Sequence, residues 1–183
     1  MQYQLSIGDL KRDLPLIMIN ETTQIASFVL LGDAELTVEA ARLLKAKLPA
    51  DFDYVVTMES KGIPLAHELS RQTNHAHYVV IRKSVKAYME KPLVTTVKSI
   101  TTSDKQQLVL DGTDAELLRG KRVILLDDVI STGGSQRAAE QLLALTGCQV
   151  VAKAAILAEG QAAQRDDLIY LAPLPLFDLQ GNK

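Results

Sequence analysis

Residues 123–145 read VILLDDVISTGGSQRAAEQLLAL. This stretch opens with a short run of apolar residues, which is typical of a strand covered on both faces in a parallel sheet. Two aspartates, Asp127 and Asp128, follow directly, then a turn of small residues, then apolar residues at helical spacing. The stretch therefore predicts a buried strand, a loop and a helix that begins near Gly134, with two carboxylates at the carboxyl end of the strand.

The turn after the aspartates has the composition of a phosphate site. It consists of Ser131, Thr132, Gly133, Gly134 and Ser135. Glycines and small hydroxyl residues let backbone N–H groups converge on an anion, and the N-terminus of the following helix adds the positive end of its dipole. Because carboxylates beside a phosphate would repel it, we expect a sugar between them whose hydroxyls donate to the acids, directly or through a divalent cation. A ribose 5-phosphate fits this arrangement.

Bulk composition limits the classes of protein to consider. The chain of 183 residues is 47% hydrophobic with a formal net charge of −2, which predicts one globular domain over residues 1–183. The balanced charge gives no reason to expect nucleic acid, and no apolar run approaches the ~20 residues of a membrane span. Since the first residues also lack the order of a signal peptide, we expect a cytoplasmic protein that binds neither nucleic acid nor membrane.

Strand and helix patterns alternate along the chain, as in a parallel α/β sheet. Helical spacing over residues 34–48 predicts one helix, and residues 53–73 predict a strand, a loop and a second helix. Further strands are predicted at HYVVIRK (77–83), CQVVAKAAIL (148–157) and DLIYLAP (167–173), with Pro173 and Pro175 turning the chain into its tail. Two short strands or a hairpin are expected at 14–20 and 25–33, and a long hairpin arm with legs LVTTV and QQLVLDG follows residue 84.

The string LLDDVISTGGS (125–135) resembles the phosphoribosyl pyrophosphate (PRPP) signature of the type I phosphoribosyltransferases. Neither Gly-x-x-x-x-Gly-Lys nor Gly-x-Gly-x-x-Gly occurs in the chain, so two other phosphate loops are set aside. The resemblance, over most of residues 54–177, implies the α/β fold of that family: a central, mainly parallel sheet flanked by helices. It also implies a small N-terminal hood, approximately residues 1–35 plus the tail, and a flexible hairpin lid, approximately residues 84–110. A plain strand, turn and helix with capping hydroxyls and exposed acids is the alternative.

The resemblance also implies roles for individual residues. The 5-phosphate of PRPP would bind the turn 131–135, and Asp127 and Asp128 would be the catalytic acids, binding the ribose hydroxyls and magnesium, the latter indirectly or through PRPP. MESKGIP (58–64) resembles the pyrophosphate loop of the adenine and xanthine enzymes, and the pair ending HYVVIRK resembles their basic pair. The implied pyrophosphate ligands are Ser60, Lys61, Gly62, Arg82 and Lys83. The implied lid residues, which would exclude water from PRPP, are Ser99, Thr101, Thr102 and Ser103.

The implied reaction is that of a purine salvage enzyme: PRPP and a purine base give a nucleoside 5'-monophosphate and pyrophosphate. The base pocket would include Phe28, Val129 and Glu159. Adenine is slightly preferred over xanthine, and the choice between adenine and 6-oxopurines stays open. A homodimer is expected, because the basic pair of this family sometimes serves a neighbouring subunit. The alternatives are a PRPP-sensing regulator without turnover on the same fold and a simpler sugar-phosphate binding module.

Overall fold

The computed structural model of the protein describes residues 1–97, 106–179 and 182. Its strands are β1 Gln2–Ile7, β2 Leu10–Met18, β3 Gln24–Ala26, β4 Tyr54–Met58, β5 Tyr78–Ile81, β6 Leu93–Val97, β7 Gln106–Leu110, β8 Arg122–Ile130, β9 Gln149–Glu159, β10 Ile169–Leu174 and β11 Leu176–Phe177. Its helices are α1 Ala34–Lys45, α2 Ile63–Gln72, α3 Gly112–Leu118 and α4 Gly134–Ala144, with a 3-10 helix at Gly160–Gln164.

A five-stranded sheet in the order β10-β9-β8-β4-β5 forms the centre of the molecule, and neighbouring strands in it are parallel. Alternate side chains of β4 and β8 enter two separate cores. Val55, Ile124 and Leu126 pack with α1 and α2 on one face, while Val56, Val123 and Leu125 pack with α3 and α4 on the other. Burial on both faces explains the continuous apolar runs, and it confirms the predicted parallel sheet flanked by helices.

Helix α1 has the predicted apolar face. Leu36, Ala40 and Leu44 are fully buried against the sheet. Asp33 caps the helix by accepting a hydrogen bond from the Leu36 N–H at 3.0 Å. The same carboxylate pairs with Arg12 of β2, with Nε 2.6 Å from Oδ2, so the cap also fastens the N-terminal strands to the central domain.

The hood is the four-stranded sheet β1-β2-β3-β11. Its β2 and β3 match the two strands predicted near residues 14–20 and 25–33, but β1 was not predicted. The segment Gln2–Ile7 pairs with β2 around a turn at Gly8, whose φ of +58° is the left-handed conformation that glycine adopts readily. The residues of β1 alternate strictly between polar and apolar, with Tyr3, Leu5 and Ile7 on the core side, so the pattern of a half-buried strand was present in the sequence and was overlooked.

The predicted hairpin arm is present in the antiparallel pair β6 and β7. Its root joins the end of β5 through two hydrogen bonds of 2.8 Å between the backbones of Arg82 and Val109. The predicted tip residues Ser99, Thr101, Thr102 and Ser103 lie outside the described residues.

Several elements differ from the prediction; α1, for example, ends at Lys45 rather than near residue 48. β8 does not end before the aspartates but runs through them to Ile130, because β9 continues to pair with it as far as Ala158. α3 follows β7 in a segment for which no element was predicted, with Asp111 as its N-cap. Pro173 lies inside β10 rather than ending it, which an edge strand tolerates because one side of its backbone needs no partner.

The order of the central strands creates a crevice between β4 and β8. From β4 the chain passes through α2 to β5 on one side, and from β8 it passes through α4 to β9 on the other. Open α/β sheets bind their ligands at such a reversal, outside the carboxyl ends of the strands. The aspartates on β8 and the loop after β4 both lie at this position.

Candidate active site

The two aspartates lie where β8 extends beyond its neighbour. β4 pairs with β8 only as far as Thr57 and Leu126, whereas β9 accompanies β8 past Asp127. Asp128 is 3% exposed and Asp127 is half-buried. On the β4 side, the part of β8 that carries both aspartates has no paired neighbouring strand among the described residues. A loop or a ligand can therefore approach this edge of β8.

Residues 59–62 form the loop that faces this edge. Nζ of Lys61 lies 3.1 Å from Oδ2 of Asp128. A Cβ added to Gly62 would lie only 2.2 Å from Oγ1 of Thr57 and 3.3 Å from Oδ1 of Asp127. Glycine is thus required because the loop backbone touches both β4 and the acid pair.

Burial, and second the charge of neighbouring Asp128, raise the pKa of Asp127 well above its usual value, while Lys61 acts in the opposite direction. The Oδ1 atom of Asp127 accepts a hydrogen bond of 2.9 Å from the Asp128 N–H. Of the two adjacent carboxylates, Asp128 has an ion pair with Lys61, whereas Asp127 has a hydrogen bond from the neighbouring backbone and no ion pair among the described residues. Such a pair suits a ligand that brings hydroxyl donors or a cation with it.

The turn 131–135 closes a small cavity of about 80 Å³ at the start of α4. Gly133 is the N-cap residue with φ +72°, and no side chain caps the helix, so the first N–H groups of α4 are available to a ligand. The lining residues are Asp127, Val129, Ile130, Ser131, Thr132, Gly133, Gly134, Ser135 and Gln136. All five residues predicted for the phosphate are brought together here.

A second cavity of about 200 Å³ adjoins the first. It is lined by Met58, Glu59, Ser60, Lys61, Lys83, Leu108, Asp127, Asp128, Val129 and Ser135. Asp127, Val129 and Ser135 line both cavities. The two cavities are therefore linked. The acid pair lies between the turn 131–135, predicted to bind phosphate, and the loop 59–62, predicted to bind pyrophosphate.

Arg82 has a different environment from Lys83. Its Nε lies 3.2 Å from Oε2 of Glu59, and its Nη1 donates to the Tyr88 hydroxyl at 2.9 Å. Glu59 also accepts from the Lys83 N–H at 2.9 Å. These contacts, the Lys83 hydrogen bond first and Arg82 second, hold the pKa of Glu59 below its usual value. Glu59 thus ties the loop to the end of β5, a role that the residue pattern did not indicate.

The three residues predicted for the base pocket lie in different surroundings. Phe28 is 7% exposed and belongs to the core, so little of its ring is free to stack on a base. Val129 is half-buried and lines both cavities. Glu159 is half-buried at the end of β9, where burial raises its pKa and the nearby Lys61 charge opposes the rise.

The donor set can be compared with the needs of a magnesium ion. In residues 1–97, 106–179 and 182, no group of three or more His, Cys, Asp or Glu side chains is arranged to hold a metal. Asp127 and Asp128 alone are too few for a resident site. They fit the usual mode of magnesium, in which one or two carboxylates act together with the phosphate oxygens of a substrate.

None of the helices in the described part of the chain is long and apolar enough to cross a membrane.

A family model described as phosphoribosyl transferase domain matches residues 34–172. The adenine phosphoribosyltransferase of Cenarchaeum symbiosum is 33% identical over 129 residues, which are 70% of this chain and 72% of the relative. The hypoxanthine/guanine phosphoribosyltransferase of Methanocella arvoryzae is 36% identical over 100 residues, 55% of this chain and 48% of the relative. The chain thus spans about half the length of that relative.

Solved structures share the architecture. The adenine phosphoribosyltransferase of Thermoanaerobacter pseudethanolicus superposes with a TM-score of 0.71 at 20% identity, covering 87% of this chain and 95% of its own. That of Saccharomyces cerevisiae gives 0.61 at 18% identity, covering 93% and 92%. At these identities the likeness concerns the fold alone. With the family model covering most of the sequence and the signature turn at the crevice, the chain belongs to the phosphoribosyltransferase family, in its type I purine branch.

Proposed function

We propose that this protein transfers the phosphoribosyl group of PRPP to a purine base, releasing pyrophosphate and a purine nucleoside 5'-monophosphate. The observation that carries the proposal is the pair of linked cavities that share Asp127, Val129 and Ser135. A molecule with a phosphate at one end, a ribose in the middle and a pyrophosphate at the other matches this sequence of sites. A binding module for a simple sugar phosphate would leave the second cavity unexplained.

Each part of PRPP has a proposed set of ligands. The 5-phosphate accepts hydrogen bonds from the turn 131–135 and from the first N–H groups of α4. The ribose hydroxyls donate to Asp127 and Asp128, which separate the two anions. Ser60, Lys61, Gly62 and Lys83 bind the pyrophosphate. Arg82 supports the same site, since it pairs with Glu59 and so holds the loop that carries Ser60 and Lys61.

The proposed reaction needs no covalent nucleophile from the protein. A nitrogen of the base displaces pyrophosphate at the anomeric carbon of the ribose, through a transition state with oxocarbenium character. Lys61 and Lys83 stabilise the negative charge that develops on the leaving group. Magnesium held by PRPP and by Asp127 and Asp128 would supply further positive charge there.

For the base, we propose a purine, with adenine preferred over xanthine. The relatives named adenine and hypoxanthine/guanine phosphoribosyltransferases support a purine and leave 6-oxopurines as the main competitors. Val129 and Glu159 are the proposed contacts, since Phe28 is buried in the core. The lid residues Ser99, Thr101, Thr102 and Ser103, the homodimer and the cytoplasmic location remain part of the same proposal.

The test is a panel of bases. The protein is incubated with PRPP, magnesium and each of adenine, hypoxanthine, guanine, xanthine, uracil and orotate, and pyrophosphate release is measured. Release with one or more purines, and with neither pyrimidine, is the expected result. Release with no base would favour the PRPP-sensing regulator and reject the enzyme, and fastest release with xanthine would reject the proposed order of bases.

A further inference from the structure

Gln136 is a buried polar residue in the first turn of α4, just beyond the predicted phosphate turn. It is 2% exposed and lines the 80 Å³ cavity. Its Nε2 atom has no hydrogen-bond partner among the described residues. A buried amide donor without a partner is costly, and such groups in native proteins call for an explanation. At the wall of an anion cavity, an anion is the partner that explains it.

Arg165 sets the orientation of the Gln136 side-chain amide. Its Nη1 donates to Oε1 of Gln136 at 2.7 Å, across 29 residues of sequence. Because the oxygen of the amide is bound by the guanidinium, the nitrogen is directed away from Arg165. The same Nη1 atom would lie 2.9 Å from a Cβ on Gly133, so the guanidinium also lies directly against the turn.

Arg165 is itself held rigidly. Its Nε and Nη2 donate to the two oxygens of Asp167 at 2.8 and 2.9 Å. Lys153 of β9 pairs with Asp167 and, at 3.0 Å, with Glu140 of α4. These cations, Arg165 first, hold the pKa of Asp167 well below its usual value. The bidentate pair and the surrounding charged network hold the Arg165 guanidinium in one orientation. A surface arginine without such partners would sample many orientations.

The other charges near the cavity favour an anion on balance. Arg137 Nη1 donates to the Thr132 carbonyl at 3.0 Å. The first turn of α4 contains no acidic residue. Asp127 is the carboxylate on the cavity wall, on the side that adjoins the second cavity.

We propose that Gln136 is a ligand of the 5-phosphate through Nε2, and that Arg165 is a positioning residue that orients this amide. The proposal rests on the proposed function, because it assumes that the cavity receives the phosphate of a phosphoribosyl substrate. It adds two residues outside the turn 131–135 to that site, and it links substrate binding to the segment after β9.

Calorimetric titration with ribose 5-phosphate, and separately with magnesium pyrophosphate, tests the proposal on Gln136→Met and Arg165→Gln. We expect roughly tenfold weaker binding of ribose 5-phosphate in each variant, as for the loss of one hydrogen bond to a charged group. Binding of magnesium pyrophosphate should stay as in the unmodified protein, which also shows that the variants are folded. Arg119→Gln, which removes an arginine just after α3 that likewise makes a bidentate pair with a carboxylate, that of Glu116, is the control and should change neither affinity.

The double variant separates positioning from a second, independent effect. Because Arg165 acts through Gln136, the double variant should bind ribose 5-phosphate about as weakly as Gln136→Met alone. Unchanged binding in the single variants, or equal loss of both ligands, would overturn the proposal, and so would fully additive losses. Failure of the unmodified protein to bind ribose 5-phosphate would instead contradict the proposed function.

Discussion

The positions of Asp127 and Asp128 suit the proposed ligand but lower the stability of the protein without it. Asp128 is buried with Asp127 half-buried beside it, and Nζ of Lys61 lies 3.1 Å from the Asp128 carboxylate. A buried carboxylate with a raised pKa destabilises the folded chain whenever it is ionised. The arrangement is explained by a ligand with hydroxyls and a cation, and it is unfavourable without one.

Asp127→Asn is therefore expected to stabilise the free protein in a pH-dependent way. Between the ordinary pKa of an aspartate and the raised one, the folded state of the unmodified protein binds the extra proton, so its stability falls as pH rises. The variant lacks this loss. Its melting temperature should exceed that of the unmodified protein by roughly 2–4 °C at pH 8, as for about 1 kcal/mol, and the difference should shrink towards pH 4.

The same variant should lose activity. Turnover measured by pyrophosphate release is expected to fall at least ~100-fold, the scale on which electrostatic groups at a reacting centre act. Asp9→Asn, at an exposed turn of the hood, is the matched control and should change neither turnover nor the pH profile of melting. Near-normal turnover in Asp127→Asn would mean that the acids have been assigned the wrong role.

The position of the loop 59–62 depends on the close contact of Gly62 with Thr57 of β4. Gly62→Ala introduces a Cβ 2.2 Å from Oγ1 of Thr57, so the loop must move away from β4. We expect a lower melting temperature and at least ~10-fold slower pyrophosphate release, since small displacements at a reacting centre have large effects on rate. The double variant Gly62→Ala with Thr57→Ala removes the contact and should recover part of both losses. No recovery would show that another contact sets the loop.

The Glu59 contacts predict an opposite pH dependence from that of Asp127. The pKa of Glu59 is lowered in the folded state, so its contribution to stability is present above the unfolded pKa and is lost as pH falls through the folded one. Glu59→Gln should therefore lower the melting temperature at pH 7, with the difference closing below about pH 4. Thermal melts between pH 3 and pH 8 check this, and a difference that is constant with pH would contradict it.

Most helices and strands with a clear hydrophobic period were predicted correctly from the sequence. The face of α1 and the runs of β4 and β8 were predictable because burial on one or both faces forces a clear period. β1 and α3 were overlooked although both carry local signals, the strict alternation of Gln2–Ile7 and the N-cap Asp111 followed by the buried pair Ala115 and Leu118, because each element is short and its signal correspondingly brief. The continuation of β8 through the acids was missed because its length is determined by β9, which pairs with it to Ala158.

At the scale of the molecule, the reversal of strand order between β4 and β8 brings two distant motifs together. The turn 131–135 and the loop 59–62 could each be singled out from local residue types, and the structure places both beside the acid pair. The pairing of Gln136 with Arg165 could not, because no local pattern links positions 29 residues apart. The proposed base contacts also depend on long-range packing, and Phe28, which was predicted to be one of them, is buried in the core.

The predicted homodimer is also a property of the whole molecule. Sedimentation equilibrium should give twice the chain mass of 20.0 kDa at micromolar concentration. The expectation follows from the family, in which the basic pair sometimes serves a neighbouring subunit. A species of one chain mass that turns over at the full rate would contradict it.

If the linked cavities form the PRPP site of an enzyme, the reaction must have a fixed stoichiometry, which can be measured. Phosphorus NMR follows PRPP, pyrophosphate and nucleoside monophosphate in one sample containing the protein, magnesium and the purine that is most active in the panel. We expect PRPP to disappear only when the base is present, and pyrophosphate and the nucleoside monophosphate to appear in equal amounts. Bound PRPP that persists unchanged beside every purine, or PRPP that is hydrolysed at the same rate without a base, would contradict this expectation.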